Sequence, residues 1–82
     1  MKLTYYYQVD RPLLTKSLET LAKVLDIKLE KVKVSHKDSL AFSISKTPAL
    51  VVIDGEGSEF SRHYGTLNIN KHIHRMKHGN LI

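Results

Sequence analysis

Residues 45–55 read SKTPALVVIDG. The unbroken apolar run Ala49 to Ile53 has Pro48 in front of it and Asp54-Gly55 behind it. A short apolar run with turn residues at both ends predicts a strand buried on both faces. Proline has no amide N–H, so it is tolerated at a strand's entrance and not inside its ladder. It is also the one residue whose preceding peptide bond becomes cis at little cost. The following Asp54-Gly55-Glu56-Gly57 is a turn, and SEFSRHY after it predicts the return strand of a hairpin. Strict alternation in that strand puts Phe60, the stem of Arg62 and Tyr64 on one face, with Glu59, Ser61 and His63 on the other.

Upstream, KLTYYYQV is rich in aromatic and β-branched residues and predicts a first strand. Its tyrosines fill both faces, which suits a central strand. In DRPLLTKSLETLAKVLD, Leu14, Leu18, Leu21 and Leu25 share one helical face. Asp10 is the expected N-cap and Pro12 belongs in the first turn. In IKLEKVKVS, Val32 and Val34 alternate with lysines, as on a sheet edge protected against stray pairing. The apolar phase slips between Leu29 and Val32, so periodicity leaves the strand's start open. Leu40, Ala41 and Ile44 predict a short helix with Ser35 near its start. Downstream, Ile69, Ile73 and Met76 predict a last helix stopped by Gly79-Asn80. The predicted order is β-α-β-α-β-β-α in a single α/β domain, residues 1–82. The first crossover makes two parallel strands, the hairpin adds two antiparallel ones, and a compact sheet has the order 2-1-3-4 with helices on both faces.

This order, with Thr47-Pro48 before the third strand and Gly65 before the last helix, resembles the minimal thioredoxin fold of thioredoxins and glutaredoxins. The resemblance covers nearly the whole chain. It implies a cis bond at Thr47-Pro48 and a Thr47 backbone that receives an extended peptide or glutathione in strand-like fashion. It also implies Cys-x-x-Cys at the turn after the first strand. Here that turn reads Asp10-Arg11-Pro12-Leu13. The proline is in register, but Asp10 and Leu13 occupy the two thiol positions. The chain has no cysteine at all, which excludes disulfides, thiolate catalysis and cysteine-ligated metal.

Other chemistry finds little support. No second carboxylate stands in an acid–base relation to Asp10. Gly55 and Gly57 lie in a hairpin turn, not between a strand and a helix, so they form no phosphate loop. His74 and His78 are four apart, but His72 points about 200° away from His74, and zinc usually takes four ligands. Histidines on a solvated helix are therefore expected, with no metal and no cofactor. The tyrosines are expected in the core rather than stacking bases. The net charge is +5, and residues 61–82 contain Arg62, Lys71, Arg75 and Lys77 with no Asp or Glu. Such a basic end suits nucleic acid, an anionic surface or an acidic protein, although a solvated helix face is the simpler reading. The longest apolar run is far too short to span a membrane. Met1-Lys2 leads straight into LTYYY without a cleavage site, so a cytoplasmic setting is expected.

The resulting expectation is a redox-inactive, non-enzymatic module that binds a protein or peptide through Asp10, Arg11, Pro12, Thr47, Pro48, Tyr64 and Gly65. The alternative is nucleic-acid binding through Arg62, Lys71, Arg75 and Lys77. A glutathione-transferase-type enzyme would have only Thr15 or a tyrosine to activate the thiol, and it would lack the large helical domain of such enzymes.

Overall fold

The computed structural model describes residues 1–35, 44 and 46–79. The short helix expected around Leu40 and Ala41 lies outside these residues. The described elements are β1 (Lys2–Tyr7), α1 (Pro12–Leu25), β2 (Lys28–Lys33), β3 (Ala49–Ile53), β4 (Glu59–Tyr64) and α2 (Thr66–Lys77). They build one four-stranded sheet in the order β2-β1-β3-β4. β1 and β2 are parallel, and the other two pairings are antiparallel. This is the sheet that the sequence predicts.

Alternation along the central strands divides the core into two layers. Leu3 and Tyr5 of β1 and Leu50 and Val52 of β3 pack against Leu14, Leu18 and Leu21 of α1 and Ile69, Ile73 and Met76 of α2. Both described helices therefore cover the same face. Ala49 and Val51 form a second cluster on the opposite face with Ile44, flanked by Tyr6, Ile53 and Tyr64. Being buried on both faces is what makes Ala49 to Ile53 apolar without interruption.

The edge strand β2 accounts for its own irregular pattern. Leu29 pairs with Leu3 and packs toward the helices, whereas Val32 pairs with Tyr6, whose side chain belongs to the opposite layer. One apolar residue for each face produces the phase slip. α1 stops at Asp26, a left-handed residue with φ 55°, and the Ile27 N–H closes back on the Ala22 carbonyl at 2.9 Å. The chain is then aimed into β2.

The hairpin differs from strict alternation at one point. A bulge between Val52 and Ile53 pairs Val52 with Ser61 and Ile53 with Glu59, so Phe60 is passed over. Glu59 consequently lies on the side of Arg62, not that of Ser61 and His63, and accepts a hydrogen bond from Arg62 Nε at 2.7 Å. The extra residue of a bulge inverts the face of everything beyond it. Asp54 holds the turn, its Oδ1 accepting from the amides of Glu56 and Ser58 at 2.9 and 3.0 Å. No helix among the described residues is long and apolar enough to cross a membrane.

Candidate functional site

β1 and β4 are each antiparallel to β3, so they run parallel to one another and finish at the Pro48 end of the sheet. Each is followed by a helix. Topology alone therefore gathers three features at this end: the entrance of α1, the entrance of α2 and the start of β3.

The Thr47–Pro48 peptide bond is cis. Pro48 is buried and Thr47 half-buried. The Pro48 carbonyl accepts the Gly65 N–H at 2.8 Å, which ties the start of β3 to the turn that leads into α2. Gly65 has φ 85° and ψ 150°, a region that only glycine occupies cheaply. Its carbonyl then accepts the Ile69 N–H at 3.0 Å, closing the first turn of α2. Asn68 Nδ2 donates to the Tyr64 carbonyl at 2.9 Å, so the corner is braced from both sides.

Across the sheet, α1 begins at Pro12, and Arg11, not Asp10, takes the capping position. This corrects the expected cap. Proline's fixed φ sets the first helical residue, which leaves Asp10 one place too early to reach the first-turn amides. Arg11 carries no acceptor, so α1 has no side-chain cap, and neither has α2. Neither first turn contains an acidic residue. Two helix entrances with unsatisfied N–H groups thus face the same end, and each is a region of positive potential. Asp10, Arg11 and Pro12 are exposed there, and Tyr64 and Gly65 are half-buried.

Tyr5 lies beneath the α1 entrance. Its hydroxyl is buried and has no hydrogen-bond partner. Burial raises its pKa, Asp10 adds to the rise, and nearby Arg11 opposes it. Tyr7 stacks on Tyr5 with ring centroids 5.5 Å apart, and it opens with Asp10, Pro12, Thr15, Lys16, Glu19 and Lys31 onto a shallow cavity of about 440 Å³.

Three residues at this end fall outside the expected contact set. Val9, Leu13 and Leu67 are 66, 84 and 69% exposed. A signal was available for two of them. Leu13 falls outside the Leu14-Leu18-Leu21 stripe and Leu67 outside the Ile69-Ile73-Met76 stripe, so neither helix turns them toward the core.

The basic candidates lie elsewhere. Arg62, His63, Asn68, Lys71, His72 and Arg75 line a cavity of about 190 Å³ between β4 and α2. Three of the four basic residues singled out in the sequence meet here, while Lys77 is exposed outside this lining. His72 departs from the solvated-helix expectation. It is only 3% exposed and stacks on His63 at 3.8 Å. Positions 69, 72, 73 and 76 have the i, i+3, i+4, i+7 spacing of a buried stripe, so His72 belongs to the core-facing side. His74 and His78 are exposed, in edge contact at 4.5 Å. Among the described residues, no group of three His, Asp or Glu side chains converges as a metal site would require.

No protein-family model and no curated protein matches the sequence. Among solved structures, the chain is similar to thioredoxin 1 from the thermophilic eubacterium Thermosipho africanus. The TM-score is 0.73 at 20% identity, over 96% of this chain and 93% of that one. The protein therefore has a thioredoxin-like fold with no cysteine in it, and dithiol exchange is chemically closed to it.

Proposed function

We propose that this chain is a redox-inactive thioredoxin-like module that binds an extended protein segment at the proline end of its sheet. One observation carries the reading: Val9, Leu13 and Leu67 stand in water at the same end as the Thr47–Pro48 turn. Covering one large aliphatic side chain contributes about 1.5–3 kcal/mol, so three of them offer a partner a substantial apolar anchor. The Thr47 backbone would supply strand-like hydrogen bonds. Arg11 would supply a bidentate donor for a carboxylate. The two uncapped helix entrances favour the same sign of charge.

Selection of binding peptides from a random displayed library tests this. Peptides enriched on the wild-type protein should lose affinity by roughly tenfold or more on a Leu13→Glu, Leu67→Glu variant, the scale expected when apolar burial is lost. Both positions are exposed, so the fold tolerates the change. Enriched peptides that bind the variant as well as the wild type would remove this surface from consideration.

A further inference from the structure

We propose a second site, separate from the proline end: a receptor for one phosphoryl dianion in the groove between β4 and α2, held chiefly by Lys71 and Arg75. These two residues are four apart and exposed on α2, and both line the same cavity. Like charges at this spacing repel one another. Among the described residues the ion pairs are Lys2–Glu30, Lys31–Glu19 and Arg62–Glu59, so neither Lys71 nor Arg75 has a carboxylate partner. None of the lining residues is acidic, and the sequence offers no Asp or Glu anywhere after Glu59.

The remaining walls are consistent with an anion. Arg62 closes one side, although Glu59 and the Tyr64 hydroxyl already engage it, so it contributes mainly shape. His63 closes the back, its Nε2 3.1 Å from the Ser61 hydroxyl. His72 lies behind His63 with both ring nitrogens buried and unpartnered. Burial lowers the pKa of both rings, and the charge of Arg75 works in the same direction. Among the described residues, the recess thus keeps two cations, Lys71 and Arg75, without a carboxylate partner.

A phosphoryl group fits better than a nucleic-acid backbone. Its second pKa of about 6 gives it nearly two negative charges at neutral pH, matching the two unpaired cations, and the guanidinium fork suits its oxygens. The cavity, about 190 Å³, has room for a hydrated oxyanion. A nucleic-acid track would need further cations in line, but Lys77 lies about 200° around the helix from Arg75.

Titration of the ¹⁵N-labelled protein with inorganic phosphate, at constant ionic strength near pH 7.5, tests the proposal. The expected result is saturable amide shifts confined to residues 61–63 and 68–76. The Lys71→Ala, Arg75→Ala variant should keep the wild-type circular dichroism and bind at least about tenfold more weakly, the scale of lost charge-assisted hydrogen bonds. A parallel titration with 5′-AMP separates the sources. Binding of both ligands identifies a terminal phosphomonoester, and binding of phosphate alone identifies the free ion. Shifts no larger than those from chloride at equal ionic strength would overturn the proposal. So would a variant that saturates like the wild type.

Discussion

Two residues have consequences that their surroundings make measurable. His72 is buried among Arg62, His63, Lys71 and Arg75, and its pKa falls to about 4, first because of burial and then because of His63 and Arg75. The unfolded chain takes up this proton near pH 6.5, whereas the folded chain resists it until about pH 4. Its contribution is therefore complete above pH 6.5 and is lost as pH falls toward 4, about 3 kcal/mol in all. Urea midpoints between pH 7 and pH 4 should fall steeply for the wild type and less steeply for His72→Phe, which keeps a ring in the stack. Equal slopes would show that the ring is not held neutral by the fold. Gly65 is the second case. A Cβ at that position meets no atom within 4 Å, but φ of +85° is strained for any L side chain. Gly65→Ala should cost about 1–3 kcal/mol through the backbone alone, read from denaturant unfolding. A neutral result would mean that the corner into α2 relaxes without loss.

At the scale of elements, the sequence was legible wherever burial was periodic. The Leu14-Leu18-Leu21 stripe and the apolar β3 run are both found as expected, because each buries a repeating face against the sheet. The misses came from local devices that periodicity does not register. Pro12 fixed the first helical residue and so displaced the cap from Asp10 to Arg11. A single bulge moved Glu59 to the side of Arg62. His72 was read by residue type instead of by its place in the buried stripe of α2. The uncapped entrance of α1 yields a prediction at this scale. Arg11→Ser should stabilise the protein by about 1 kcal/mol by supplying the missing acceptor, seen as a raised unfolding midpoint, while weakening capture of an acidic peptide. Stabilisation with undiminished binding would release Arg11 from the proposed contact surface.

At the scale of the whole molecule, topology legible in the sequence determines where a site is able to form. Because β1 and β4 run the same way, both helices start beside the Thr47–Pro48 turn. The candidate surface at that end was read from the residues of these turns. Its apolar members were not: helical periodicity does turn Leu13 and Leu67 away from the core, whereas Val9, outside both helices, carries no such signal. Sequence shows a basic end, but only folding separates Lys77 from the cavity that Arg62, Lys71 and Arg75 share. With no thiol in the chain, this end presents the Thr47–Pro48 turn, exposed Val9, Leu13 and Leu67 and two uncapped helix entrances, and the proposed binding rests on these.

The most direct measurement is an amide shift map of the ¹⁵N-labelled protein with a selected peptide bound. The largest changes are expected at Val9 to Leu13, at Thr47 and from Tyr64 to Leu67. Changes concentrated instead along β2 or at the Asp54–Ser58 turn, with those positions unmoved, would contradict the proposed binding surface.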